Sequence, residues 1–542
     1  MSHTDLLVTN TEAITDDDSG ITTIHLFGRT AEGKREHLKV PNFRSYFYVD
    51  REFVEGREHD YLGDAGIYSI THDPAFSPFG ADGEVSKVFV ERPNQMKNAA
   101  SLFPNSYEAD VRPAQRFRID TGIRAWVRYP NRDNPNVPNR FTVDELEAIE
   151  APVEIDPDTR IVNFDIEVDD RGGFPDPGEK RITSIVAHDN YDDEFIGFID
   201  GDNRPIESMF PDGKPEEVDA LHVEPDEKRM LIRFACWLAE RDPDLLTAWN
   251  VDFDAPYVIE RMKKIGVSPN RMSPLGESYN GYSGARIKGR SVYDLLGAYK
   301  NNSWGELRSY SLDYVAGEEL GASKISHEQG FFEMFEDDPH LLVNYNARDV
   351  RLAHGINEQA GVIEFRDNLR KQIGVDFEDT VNNYQFIEMM ARRKLRERGE
   401  VGPTANPEDA EKYEGAFVFP PYTGIAKNVM GIDVESLYPW TMFMLNASPD
   451  TKISEERAIA ENIPYSKAPN GVCFRLDRDG LFKTLVQDAL DLKEGFRTLK
   501  KQAEPGSVQE FIYEVKYNVA KTITNSIYGV TGWDKFFLYD KE

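Results

Sequence analysis

Arg160-Ile-Val-Asn-Phe-Asp-Ile-Glu-Val168 reads as a strand of nearly continuous apolar content that carries two acids. Strand side chains alternate between faces, so Asp165 and Glu167, two residues apart, share one face. Two carboxylates held side by side repel, and a cation between them relieves the cost. A D-x-E pair on a strand is a weak signal alone, because exposed edge strands also carry acids. Its weight comes from what stands downstream.

The segment Glu227 to Arg241 has helical spacing at Met230, Leu231, Phe234 and Leu238. It leads into Leu245-Leu-Thr-Ala-Trp-Asn250 and Val251-Asp-Phe-Asp-Ala-Pro-Tyr-Val258, which places Asp254 after a strand and before another helix. An N-cap ahead of Pro256 is the ordinary role for such a residue, and it is compatible with a second one. In His340-Leu-Leu-Val-Asn-Tyr-Asn-Ala-Arg-Asp-Val350, apolar positions fit a helix on which Tyr345 and Asp349 lie one turn apart. Alone, Asp349 would be a surface ion pair. Together, four carboxylates and a tyrosine from two strands and a helix form an oxygen-rich cage suited to two hard divalent cations.

Upstream, residues 1–152 alternate in short runs: Ile21 to Phe27, Ser45 to Val49 and Ile123 to Tyr129 read as strands. A β-rich N-terminal domain is expected, with Tyr46, Phe47 and Tyr48 as packing residues. A Pro/Asp-punctuated boundary near 152–157 separates it from the unit built on Asp165. The two cysteines, Cys236 and Cys473, have no CxxC or His company and are expected reduced. No apolar run reaches membrane-spanning length and no leader is evident, so a soluble, cytoplasmic protein without membrane association is expected.

The net charge of −33 argues against assigning a nucleic-acid partner from global electrostatics, since such proteins are usually basic. Acidic clusters such as Asp16 to Asp18, Asp192 to Glu194 and Glu336 to Asp338 read locally as solvated loops. Spread over the chain, the excess has the character of adaptation to a salt-rich cytosol.

Downstream, Ile387 to Arg398 is one of few basic clusters and is expected as the solvated face of a helix. Asn428 to Ile432 reads as a strand that delivers Asp433 to its end, with Pro439 forbidding continuation of the ladder. Leu485 to Lys500 reads as a helix with Lys493 and Arg497 one turn apart. After the break at Ala503 to Ser507, a second helix runs to about Tyr528, with Lys521, Asn525 and Tyr528 on one face.

Asp165-Ile-Glu167, Asn250-Val-Asp-Phe-Asp254 and Tyr345-Asn-Ala-Arg-Asp349 resemble the three motifs of the DEDDy 3′–5′ exonucleases, in the order found in family B DNA polymerases. Asp433-Val-Glu-Ser-Leu-Tyr-Pro439 resembles motif A of those polymerases, and Lys521-Thr-Ile-Thr-Asn-Ser-Ile-Tyr-Gly529 closely resembles motif B. Tyr413-Glu-Gly-Ala416 is similar to their Y-x-G-G loop, with alanine in place of the second glycine.

The resemblance implies an α/β and α+β multidomain fold. Its parts would be a β-rich domain (1–152), an RNase H-like exonuclease domain (153–370), a linker with partial palm (371–484), and helical-hairpin fingers (485–542). It implies that Asp165, Glu167, Asp254 and Asp349 hold two Mg2+ ions, with Mn2+ as an alternative, and that Tyr345 orients the attacking water. Asp433 would ligate the polymerase metals. Ser436 and Leu437 would contact the triphosphate through their backbone, and Tyr438 would pack under the sugar. Lys493, Arg497 and Lys521 would neutralise the triphosphate, with Asn525 beside them. Tyr528 and Gly529 would pack against the nascent base pair, and Tyr413 and Gly415 would lie near DNA. The implied substrates are primer-template DNA and deoxynucleoside triphosphates.

The family's Y-G-D-T-D motif does not follow motif B before residue 542. The chain is therefore expected to be the N-terminal portion of a polymerase, either truncated or completed by a second polypeptide. The alternatives are a stand-alone exonuclease and a catalytically silent DNA-binding subunit.

Overall fold

The computed structural model describes residues 3–131, 139–150, 157–173, 175–282, 284–302, 307–405 and 419–540. Six strands form the central mixed sheet: β9 (Ile161–Val168), β10 (Ile182–Asp189), β11 (Glu194–Asp200), β12 (Ala220–Glu224), β13 (Leu245–Ala248) and β14 (Ser291–Asp294). Their spatial order is β12-β11-β10-β9-β13-β14. β9 pairs antiparallel with β10 and parallel with β13. The expected strand at 160–168 is thus the middle of a sheet rather than an edge, and that position explains its near-continuous apolar content.

Alternation along β9 sorts its residues into two functions. Val162, Phe164, Ile166 and Val168 enter a core with Met230, Leu231, Phe234 and Leu238 of helix α2 (Glu227–Arg241), and with Val258, Ile259 and Met262 of α3 (Val251–Lys264). Each such large apolar side chain contributes about 1.5–3 kcal/mol when fully buried. The intervening Asn163, Asp165 and Glu167 turn to the other face, where α4 (Pro339–Ala360) crosses; the Asn163 amide donates to the Val350 carbonyl at 3.1 Å. Asp338 caps α4 by accepting from the Leu341 N–H at 3.0 Å, Pro339 occupies its first turn, and Gly361 at φ +59° ends it.

The N-terminal region holds an antiparallel sheet of β1 (His3–Thr15), β2 (Thr22–Thr30), β3 (Arg35–Phe43), β7 (Trp126–Pro130) and β8 (Glu147–Ile149), in the order β3-β2-β1-β7-β8. A second sheet joins β4 (Tyr46–Asp50), β5 (Ile67–Asp73) and β6 (Val85–Val90). Tyr46, Phe47 and Tyr48 are buried, as packing residues should be. Cys236 and Cys473 are both free thiols. Most of the expected 152–157 boundary lies outside the described residues. No helix among the described residues is long and apolar enough to cross a membrane.

Arginine–aspartate pairs tie the N-terminal sheets to the rest. Arg29 donates through Nε to Asp244 at 2.5 Å, and Arg118, on the helix α1 (Pro113–Thr121) beside those sheets, to Asp376 at 2.6 Å, both arginines being almost fully buried. Nearby, Glu12 and Glu378 are pushed up to about 7 by burial, with Asp376 adding to the effect. A folded-state value above the ordinary 4.5 means a contribution to stability that is fully present below about 4.5 and lost as pH rises through about 7. Glu378→Gln should therefore narrow the difference in urea midpoint between about pH 5 and pH 8. An unchanged difference would show that Glu378 is not a source of that dependence.

The C-terminal part packs α5 (Val362–Ile373), α6 (Asn383–Glu397), α8 (Leu481–Gln502) and α9 (Val508–Thr531) around Phe386, Leu395, Phe482, Val486, Ile523 and Ile527. A short helix α7 (Leu437–Leu445) lies beside a small sheet of β15 (Lys452–Ile453), β16 (Tyr465–Lys467) and β17 (Cys473–Arg475).

Two local expectations are corrected. The basic helix 387–398 is not a solvated face: Arg392 and Arg393 are buried, and Arg392 pairs with Asp110 and Glu388, both at 2.8 Å. Arg393 donates to the Ile123 carbonyl at 2.7 Å, so the cluster is a strut between distant parts of the chain. The Asp192 to Glu194 turn is solvent-exposed, as expected of a solvated loop, and its acids also pair at the surface, with Arg160 at 2.9 Å from Asp192 and Arg241 at 3.0 Å from Glu194. Residues 428–432 form no strand, because no described residue offers them a ladder.

Candidate active site

Asp165 and Glu167 from β9 meet Asp349 from α4, with donor oxygens within 4.8 Å of one another. Asp254 comes from the first turn of α3, and only 4% of its surface is exposed. It is not the cap that the chain order suggested. Asn250 holds that position, and the helix already runs from Val251, so Pro256 lies inside it.

The missing cap function belongs to Asp294, at the end of β14. Its Oδ1 accepts from the Val251 N–H at 3.1 Å and its Oδ2 from the Gly297 N–H at 2.6 Å. Asp294 therefore fixes the turn that presents Asp254, while burial pushes its own carboxyl up to about 6. It touches none of the reacting positions directly, and its role is positional.

Burial raises all four acids above their ordinary values, Asp165, Glu167 and Asp254 well above. For Asp165 the next cause is Asp349; for Glu167 and Asp254 it is Asp165. Burial also raises Asp349, but Lys324 opposes it, donating from Nζ to Asp349 Oδ2 at 2.5 Å and to the Tyr345 hydroxyl at 3.2 Å. Burial alone would lower the Lys324 ammonium, yet Asp349 holds it above its ordinary value. Burial, then Asp349, pushes the Tyr345 phenol up to about 12, so it is neutral at physiological pH. Lys324 escaped the sequence reading, because a lone lysine in Gly321-Ala-Ser-Lys-Ile-Ser326 carries no periodic or motif signal.

Asp349 Oδ1 is buried and has no hydrogen-bond partner among the described residues. A cluster of buried, mutually repelling carboxylates with an orphaned oxygen is the donor set that a hard divalent cation satisfies. The residues present fit such an ion.

The second set of expected residues lies around α7 and the α8–α9 hairpin. Tyr438 and Tyr528 stack, with ring centroids 4.5 Å apart and planes 5° from parallel. Lys493 Nζ reaches Glu435 at 2.7 Å and the Ser436 hydroxyl at 3.1 Å, while Arg497 lies 4.0 Å from Glu435. The hydrogen bond from Lys493 lowers the Glu435 carboxyl, and the charges of Lys493, Arg497 and Lys521 act in the same direction. Ser436 adopts φ +54° as it starts α7, so Leu437 begins the helix and Pro439 sits in its first turn rather than at a sheet corner. Asn525 and Gly529 line a cavity of about 1120 Å³ with Tyr384, Asn518 and Trp533.

Asp433 is exposed and stands apart from the Asp165, Glu167 and Asp349 group. Asp540 is engaged with Lys452 at 2.7 Å. Tyr413 and Gly415 lie outside the described residues.

The sequence matches the family model "DNA polymerase family B, exonuclease domain" over residues 105–315, and "DNA polymerase family B" over 379–542. It is 29% identical to the DNA-directed DNA polymerase of Escherichia phage RB69, across 60% of this chain and 41% of that protein. It is 24% identical to the DNA polymerase of Archaeoglobus fulgidus, across 91% of this chain and 60% of that one. Identity to DNA polymerase 2 of Aeropyrum pernix is 26%, across 96% and 65%. The chain thus spans less than two thirds of the length of these curated relatives. The fold is similar to that of the family B DNA polymerase from Pyrobaculum calidifontis, with a TM-score of 0.81, 24% identity, and coverage of 99% of this chain and 69% of that one.

Proposed function

The chain belongs to the family B DNA polymerases, with their exonuclease and polymerase domains, and from that premise we propose that it serves DNA synthesis with 3′–5′ proofreading of the primer end. The observation that carries this reading is the convergence of Asp165, Glu167 and Asp349 within 4.8 Å, with Tyr345 beside them. The proposed division is 1–152 β-rich, 153–370 exonuclease, 371–484 linker and palm, and 485–542 fingers.

Asp165, Glu167, Asp254 and Asp349 would hold divalent metal, Mg2+ or alternatively Mn2+, which activates water and stabilises the attacking and leaving oxygens of an in-line displacement. Tyr345 accepts a hydrogen bond from Lys324, so its own O–H proton is left to orient the attacking water. A neutral phenol orients water without deprotonating it. Lys324 offsets part of the charge on Asp349 and holds Tyr345 in place. Asp294 acts one step further out, through the turn that carries Asp254.

In the polymerase half, Asp433 would be a metal ligand, with Ser436 and Leu437 at the triphosphate and Tyr438 under the sugar. Glu435 now neutralises Lys493 and Arg497, so an incoming triphosphate would displace that carboxylate. Lys521 would share the triphosphate charge, Asn525 would stand beside it, and Tyr528 and Gly529 would face the base pair. Tyr413 and Gly415 would approach DNA.

A stand-alone exonuclease is the second reading. It is favoured by Asp433 standing exposed while the other acids are assembled. A labelled primer annealed to a template separates the two. With Mg2+ alone the primer should shorten from its 3′ end; with all four deoxynucleotides it should lengthen if synthesis is supported. Shortening without lengthening favours the second reading, and neither result sinks both. Completion by a second polypeptide has no support among the described residues.

We also infer salt adaptation from the net charge of −33. The screening length falls from about 10 Å at 0.1 M to roughly 3 Å at 1 M salt, so self-repulsion should fade as salt is added. The urea midpoint should rise from about 0.1 M to about 1 M KCl. A flat or falling midpoint would refute the idea.

A further inference from the structure

Away from the exonuclease acids, a second group of donors converges where β10 meets α4. His188, on β10, is 2% exposed at its side chain, and its Nε2 lies 3.0 Å from Oδ1 of Asp193 in the turn to β11. The ring of His354, on α4, sits 4.1 Å from that of His188 between centroids, at 45°. One donor atom from each of the three lies within 4.8 Å of the others. The His354 side chain has no hydrogen bond to the described residues, although its ring contacts His188 and Phe195.

We propose that His188, Asp193 and His354 form a binding site for a borderline divalent cation of the zinc or cobalt class. The donor chemistry sets it apart from the all-oxygen exonuclease site: two imidazoles and one carboxylate suit zinc-like ions, whereas Mg2+ favours oxygen alone. Donors about 2.0–2.1 Å from a tetrahedral ion stand roughly 3.4 Å apart. The separations here close to that by small side-chain rotations, Asp193 being exposed and His354 partly buried. Glu358, one turn beyond His354, lines the same cavity of about 570 Å³ and leaves a fourth position to itself or to water. Two nearby charges oppose a cation: Lys371, which lines the same cavity and pairs with Asp367 at 2.6 Å, and Arg351. Arg351 is engaged by Glu217 at 3.1 Å and stacked over Phe195.

The site would join the β10–β11 turn to the helix that carries Tyr345 and Asp349. Register supports the placement, since His188 pairs with Asn163 on β9, two residues before Asp165. The bound ion would thus clamp the far end of the exonuclease scaffold without entering its chemistry.

The test uses the full chain carrying Asp165→Ala and Asp349→Ala, so that the exonuclease acids no longer compete for metal. Stripped of metal and titrated with Co2+, it should develop visible ligand-field absorption that saturates near one equivalent. Mg2+ in excess should not displace the cobalt. Adding His354→Ala should weaken binding by at least the roughly 10- to 100-fold that loss of even an outer partner costs. Should that variant fail to fold by circular dichroism, Asp193→Ala, on the surface, gives the same reading. Absence of the absorption, or an unchanged titration in the folded variant, would leave an ordinary hydrogen-bonded histidine pair and overturn the proposal.

Discussion

Asp165→Ala is expected to abolish metal-dependent trimming of single-stranded DNA while leaving the fold as stable as before, or more so. The loss should be at least the roughly 10²- to 10³-fold seen when one group stabilising transition-state charge is removed. Asp165 is the residue whose charge recurs among its neighbours: it raises Glu167 and Asp254, and Asp349 raises it in turn. In the metal-free protein its removal relieves repulsion among buried acids. A residue kept for structure would behave oppositely, with stability falling and the rate per folded molecule preserved. The two readouts are the rate of shortening of a 5′-labelled oligonucleotide in Mg2+ and the urea midpoint in chelator. Trimming at the parental rate would refute the assignment of this site.

Asp244→Ala should cause the largest loss of stability. Asp244 has no exposed side-chain surface and receives Arg29 Nε at 2.5 Å, the Arg160 N–H at 3.0 Å and the Thr9 hydroxyl at 3.1 Å. Arg35 Nε lies 3.3 Å away, so one carboxylate serves two guanidinium groups that are themselves almost fully buried. Breaking a buried pair from one side leaves an uncompensated charge, which costs about 3–5 kcal/mol. Asp244→Asn keeps acceptor oxygen without charge and should fall between the parent and the alanine variant. The free energy comes from urea unfolding, and limited proteolysis shows whether the N-terminal sheets detach first. A loss below about 1 kcal/mol would mean that water or backbone groups replace the carboxylate.

The exonuclease acids were legible because each is announced by its own neighbours. Alternation along 161–168 separates Asp165 and Glu167 from the apolar face, and the helical spacing of 339–360 sets Tyr345 beside Asp349. Both patterns are complete within a few residues of the site they mark. Asp254 was found by the same logic, although its helix begins earlier than the local signals implied. The contacts that were missed act across long separations. Lys324 reaches Asp349 over 25 positions, and Asp294 caps a helix start 43 positions earlier. Neither position carries any pattern that marks such a contact.

The sequence by itself singled out Asp165, Glu167 and Asp349, the acids that converge as a metal-capable group, the faces they occupy, and the basic and aromatic residues of the α8–α9 hairpin. Those follow from side-chain chemistry and from backbone periods of two and 3.6 residues. Only the tertiary structure decided which charges are neutralised and which segments become strands. The arginines of 392–398 look like a solvated face until Asp110, 282 positions away from Arg392, is placed against them. Asn428 to Ile432 has a strand-like composition but remains without a ladder, because a strand exists only where another backbone completes its hydrogen bonds.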